Sequence, residues 1–115
     1  MKEIKLYVGL NDMDTLSQKY DISIYFSILK NVCFRYHVPF SFTVSEGGFF
    51  FENGDYTQEQ TLVLSLIDVD EHVAREIAKD LCVFFHQESV MMTRSQVETV
   101  FIQEKLPWDE TDGDL

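Results

Sequence analysis

An α+β domain, with two helices on one face of an antiparallel sheet, is the fold that the sequence predicts. Three observations predict it. Apolar residues alternate at a period of two in Lys2–Gly9 and again in Phe40–Ser45. They recur at steps of three and four from Ile22 to Tyr36 and from Val73 to Phe85. Turn-forming residues separate these runs, so strand and helix patterns follow one another in a twice-repeated strand–helix–strand order. A chain of 115 residues suits one domain.

Each element has its own signal. In KEIKLYVG, Ile4, Leu6 and Val8 fall on one face of a half-buried strand, with Lys5 and Tyr7 on the other. Gly9 and LNDMDT end it, and residues 10–20 read as an exposed, mobile loop. The stripe Ile22, Tyr25, Phe26, Leu29, Val32, Cys33, Tyr36 predicts a helix. Asp21 or Ser23 is its N-cap, because either side-chain oxygen can accept a first-turn amide. Pro39 stops it by biasing the residue before it to extended geometry.

Phe40, Phe42 and Val44 then share one strand face, and Glu46-Gly47-Gly48 predicts a break or bulge. Phe49–Glu52 follows as a short strand, returned by Asn53-Gly54 onto Tyr56–Glu59, since Asn-Gly between strand-like runs is a strong hairpin signal. TLVLSLI, residues 61–67, is nearly all apolar and predicts a central strand buried on both faces or nearly so. Asp68, Asp70 and Glu71 open the second helix, where carboxylates cap free amides and meet the positive end of the dipole. Its stripe is Val73, Ile77, Leu81, Phe84 and Phe85. Ser89–Thr93 predicts a further strand, Arg94–Gln96 an interruption, and Val97–Ile102 another strand. The order is ferredoxin-like, βαββαβ with an extra hairpin or strand. The expected organisation is one α+β domain over residues 1–104 and an acidic flexible tail over residues 105–115.

Composition narrows the function classes. Ten Phe and five Tyr within a 45% hydrophobic chain support an aromatic-rich core. The basic start MKEIKLYVGL loses its apolar run at LNDMD, so no secretory leader is expected, and no uncharged stretch approaches the length of a membrane span. Cys33 and Cys82 lie on helix stripes without a CxxC pair and read as buried thiols of a cytoplasmic protein.

The net charge is −11, and it is unevenly placed. Residues 1–40 carry Lys2, Lys5, Lys19, Lys30 and Arg35 against Glu3, Asp12, Asp14 and Asp21, a net of +1. The remainder carries four basic residues against sixteen acidic, a net of −12. Such a field repels nucleic acid, phosphates and anionic lipid, and it attracts basic surfaces within about 8–10 Å. Direct nucleic-acid binding and membrane association are therefore not expected.

No reaction is spelled out. His37, His72 and His86 have neither the spacing nor the cysteine partners of a metal triad. Gly47-Gly48 lacks the helix and Lys of a phosphate loop. The expectation is no enzyme, no catalytic residues, no metal and no cofactor, with an enzyme built on His86, Glu88 and Ser89 as a remote third arrangement.

The small size, the aromatic α/β body, the acidic C-terminal two thirds and the tail WDETDGDL resemble in type the small acidic anti-CRISPR and anti-restriction inhibitors of phages and mobile elements. The resemblance implies an inhibitor that blocks a Cas effector by occupying its nucleic-acid groove. KLYVGL, EGGFFFENG, TLVLSLIDVDEHVAREI and HQESVM are also similar, in order, to a family of uncharacterised bacterial ferredoxin-like domains, which implies the fold. The expected partner is a basic nucleic-acid-binding protein, such as a Cas effector. It would be met by Glu46, Phe49, Phe50, Glu52, Asp55, Glu59, Trp108, Asp109 and Glu110. The alternative is a homo-oligomeric small-ligand-binding domain, a homodimer for example, with a pocket between sheet and helices lined by Phe40 and Phe42.

Overall fold

The structure, a computed structural model, describes residues 1–105. Six elements follow one another: β1 (Lys2–Gly9), α1 (Ile22–Tyr36), β2 (Ser41–Phe50), β3 (Tyr56–Ile67), α2 (Glu71–Phe84) and β4 (Met91–Gln96). The strands form one antiparallel sheet in the order β2-β3-β1-β4. The fold is α+β and ferredoxin-like.

Register explains how the sheet acquires two unlike faces. Ile4 pairs with Leu66, Leu6 with Leu64 and Val8 with Leu62, so one face is continuous aliphatic surface, fully buried. Tyr25, Leu29, Val32 and Cys33 of α1 and Ala74, Ile77 and Leu81 of α2 close over it in a single core. The other face presents Tyr7, Gly9, Thr43, Ser45, Thr57, Glu59, Thr61 and Ser65, and among the described residues no helix covers it. TLVLSLI is thus buried on one face, with Leu62, Leu64 and Leu66 inside and Thr61, Val63 and Ser65 half-covered. A run expected to be buried on both faces or nearly so is fully buried on one and half-covered on the other, because both helices lie on the same face.

Caps follow local chemistry. Asp21 accepts the N–H of Ser23 at 3.1 Å and Asp70 that of His72 at 2.8 Å, each from the N-cap position. Asp68 instead takes a left-handed backbone, φ 54°, and accepts the Lys2 N–H at 3.0 Å, closing the β3–α2 turn onto β1. His37 ends α1 in the left-handed region.

Several expectations change. There is no extra hairpin: β2 and β3 are each continuous, and Phe50–Tyr56 closes one long two-stranded arm. Gly47 and Gly48 do not break it. Gly48 pairs with Gln58 in the ladder, and it must be glycine because the Tyr56 ring and the Thr57 carbonyl lie where its Cβ would be, the carbonyl at 2.7 Å. β4 begins two residues later than expected and runs through Arg94–Gln96, which pair with Ile4, Glu3 and Lys2. Val97–Ile102 is not a strand. Phe40 and Phe42 pack on their neighbours in the layer between sheet and helices: Phe42 lies 5.1 Å from Phe26 and 6.5 Å from Phe40, ring centre to ring centre. Cys33 is buried and Cys82 half-buried, both as free thiols, and burial pushes the Cys33 thiol up to about 11. Among the described residues no helix is long and apolar enough to cross a membrane.

Candidate functional site

The uncovered sheet face carries a cleft of about 630 Å³ at the end where β1 leaves the sheet and β4 enters it. Its floor is Tyr7 and Gly9 of β1, Ser45 and Phe49 of β2, Thr57, Glu59 and Thr61 of β3, and Met91 of β4. Phe51 continues the β2 side. Asn11, Asp12, Met13 and Leu16 form one wall, and Gln87, Glu88 and Ser89 after α2 form the other. The volume lies within the range of small-molecule sites.

Gly9 decides where the central carboxylate sits. A Cβ there would meet Glu59 Oε2 at 2.6 Å and Oε1 at 2.9 Å, so the Glu59 carboxylate lies flat over the bare backbone of Gly9. It is held by the Asn11 N–H, which donates to Oε2 at 3.0 Å, while Asn11 Nδ2 donates to the Gln58 carbonyl at 3.1 Å. Among the described residues Glu59 makes no ion pair. The facing wall is aromatic: Phe49 and Phe51 meet edge to face at 5.1 Å.

The 10–20 loop is not free. An Asn11–Gln18 bridge and the bonds from Asp12 N–H to the Ser17 carbonyl (2.9 Å) and from Leu16 N–H to the Asp12 carbonyl (2.8 Å) close it on itself. Met13 N–H donates to the His86 carbonyl at 3.1 Å, and Gln87 Nε2 to the Asn11 carbonyl at 2.6 Å, tying it to the end of α2. At its centre Asp12 is 4% exposed. Its Oδ1 accepts the N–H groups of Asp14 and Thr15, and its Oδ2 lies 2.6 Å from His86 Nδ1 and 3.3 Å from Lys19 Nζ. Desolvation pushes the Asp12 carboxyl upward, but the bonds from His86, Asp14, Thr15 and Lys19 outweigh it and hold the group well below the usual carboxylate range. A carboxylate only accepts, so His86 presents Nδ1–H to it.

Asp12, Asp14 and His86 bring three potential metal-ligand atoms within 4.8 Å of one another. The donor set fits a cation poorly: Lys19 already brings a positive charge to Asp12 Oδ2, and both Asp12 oxygens are engaged. The cluster reads as a loop anchor.

Of the expected partner-binding residues, Glu46, Phe49, Phe50, Glu52, Asp55 and Glu59 all lie on the β2–β3 arm. They divide between its sides. Phe49 and Glu59 face the cleft, whereas Phe50, 72% exposed, packs its ring on Tyr56 at 5.2 Å away from it. Trp108, Asp109 and Glu110, like all of the expected tail except Lys105, lie outside the described residues. His86, Glu88 and Ser89 are adjacent in the chain, but only Glu88 and Ser89 line the cleft. Tyr7, Gly9 and Asn11 were not singled out from the sequence. Their one signal there is Gly9 at the end of an alternating strand, and its partner Glu59 is fifty residues away.

No family model matches the sequence, and no curated protein does. Solved structures do resemble the fold. A phage SAM lyase in complex with S-methyl-5′-thioadenosine is 21% identical, with TM-score 0.64, covering 83% of this chain and 80% of that one. A DUF3240 family protein from Shewanella baltica OS155 is 7% identical, with TM-score 0.51, over 90% and 97%. CutA1 from Pyrococcus horikoshii is 11% identical, with TM-score 0.52, over 88% and 87%. The likeness is one of fold, and it corrects the expectation of a chain that is no enzyme: a protein matching this one over 83% of its length is a lyase.

Proposed function

We propose that this chain is an enzyme of the SAM lyase type, binding S-adenosylmethionine in the cleft on the open sheet face. The observation that supports this reading best is the make-up of the cleft. It sets aromatic rings against carboxylates, and no Lys or Arg side chain lines it. Phosphate-bearing ligands are disfavoured there. A flat base attached to a sulfonium suits it: Phe49, Phe51 and Tyr7 offer faces for stacking, and Glu59 offers an unpaired negative charge for the sulfonium. S-methyl-5′-thioadenosine, bound to the similar lyase, is S-adenosylmethionine without its amino-acid arm. Releasing it breaks the bond from sulfur to the terminal carbon of that arm, while the arm's own carboxylate oxygen bonds to that carbon and closes a five-membered lactone. The sulfur keeps the electron pair and becomes a neutral thioether, so the charge that Glu59 faces disappears with the product.

Titration calorimetry of the full chain with S-adenosylmethionine and with S-methyl-5′-thioadenosine, together with chromatography for the thioether product, tests this. Both molecules are expected to bind and the first to be consumed. Glu59→Gln should weaken the sulfonium by about tenfold, or about 1.4 kcal/mol, and the neutral thioether far less. Gly9→Ala, which displaces the same carboxylate, should do the same. Absence of binding by both molecules overturns the proposal.

A second reading keeps the inhibitor of a nucleic-acid-handling effector. It is favoured by the grouping of Glu46, Phe49, Phe50, Glu52 and Asp55 on one exposed arm. A basic partner would bind there with an affinity that falls steeply as salt rises.

A further inference from the structure

We infer that Gln87 is a positioning residue for the cleft carboxylate: it anchors Asn11 at its carbonyl, and the Asn11 N–H aims Glu59. The link is a property of the chain without ligand. Only its effect on binding rests on the reading of the cleft as a sulfonium site.

The link begins where β1 stops behaving as a strand. Leu10 still follows the ladder, its N–H donating to the Gln60 carbonyl at 3.0 Å. Asn11 then changes partners. Its side chain, not its backbone, reaches the Gln58 carbonyl, Nδ2 donating at 3.1 Å. Its backbone N–H is thereby left for the Glu59 side chain and donates to Oε2 at 3.0 Å. The bare backbone of Gly9 gives the carboxylate room, but it holds nothing in place. Among the described residues the Asn11 N–H is the one hydrogen-bond donor to Glu59.

Asn11 is held in turn from the opposite wall. Gln87, just past the end of α2, donates from Nε2 to the Asn11 carbonyl at 2.6 Å and lies 3.4 Å from the Phe85 carbonyl. Its own N–H donates to the Cys82 carbonyl at 2.9 Å, so the glutamine is fixed to the helix it follows. One side-chain amide therefore connects the end of α2 to the residue that orients Glu59. A glutamate freed from such support regains its rotamers. A charged group acts on a ligand most strongly when a surrounding shell already holds it in place.

Proton–nitrogen NMR spectra of the ligand-free full chain test the link. The Asn11 amide proton should move upfield in Glu59→Gln, where a weaker acceptor replaces the carboxylate. It should move the same way in Gln87→Met, which keeps the side-chain length and removes the donor. Gln87→Glu, which sets a carboxylate against the Asn11 carbonyl, should move it further. The Leu6 and Leu64 amides, at the middle of the sheet, should stay in place in all three variants. In the unmodified chain, slow exchange of the Asn11 N–H and the Gln87 side-chain amide with water gives a reading that needs no variant.

Titration calorimetry with S-adenosylmethionine separates aiming from contact. Gln87→Met should weaken binding by about fivefold, as loss of one hydrogen bond does, and binding of S-methyl-5′-thioadenosine far less. In the Glu59→Gln background the same substitution should change binding by less than about twofold, because no carboxylate is left to aim. Equal losses in both backgrounds would make Gln87 a direct contact and overturn the inference. An Asn11 amide that Gln87→Met leaves unmoved, or exchange as fast as in a free peptide, would overturn it as well. A chain that passes the spectral test and binds neither molecule keeps the link and loses the sulfonium reading.

Discussion

Asp12 is the residue through which the loop, the end of α2 and the cleft wall act together. Its carboxylate takes two backbone amides, the His86 ring and the Lys19 ammonium. Because its folded pKa lies below its ordinary value of 3.8, it contributes stability that is present above about pH 4. That contribution is lost as the pH falls toward the folded value, since the unfolded chain then binds the proton first. Asp12→Asn keeps the shape and removes the charge. The expected outcome is a lower melting temperature at pH 7 and a flatter decline in stability below about pH 4 than in the wild type, read by thermal denaturation across pH. Equal slopes for the two proteins would show that the anchor lies elsewhere.

At the scale of elements, β3 does two jobs on its two faces. Leu62, Leu64 and Leu66 face the helices without exposure, while Thr57, Glu59 and Thr61 floor the cleft. The strand's period of two makes this division possible, and a slip of one residue would send the leucines to water and Glu59 into the core. Leu64 pairs with Leu6 and Phe42 at the middle of the sheet. Leu64→Ala should cost about 2–5 kcal/mol through lost burial and the cavity left behind, measured by urea denaturation. A loss below about 1 kcal/mol would mean that the core refills around it.

The molecule combines a strong negative field with, among the described residues, unpaired outer edges on β2 and β4 and one sheet face that no helix covers. Like charges repel between copies at low salt, and added salt screens that repulsion. Raising salt should therefore strengthen any self-association and weaken any contact with a basic protein. Sedimentation across a salt series separates these opposite signs in one experiment. A response of neither kind would leave the field as a source of solubility alone.

The alternating and helical periods in the sequence were sufficient for the fold, because the core side of a strand or helix is written in which residues are apolar. Asp21 and Asp70 as caps were legible for the same local reason. The breaks were less so. Gly47-Gly48 reads as a turn until the Tyr56 ring is known to lie over Gly48, and VETVFI reads as a strand although residues 97–102 form none. Phe49 and Glu59 stood out in the sequence as contact residues, but the cleft that joins them did not. It exists because antiparallel register carries Glu59 over Gly9, and because hydrogen bonds between residues some 75 positions apart hold Asn11 and Asp12 against His86 and Gln87. Periodicity records which side of an element is apolar. Only the pairing of distant strands brings a bare glycine, a carboxylate and two aromatic rings around one space.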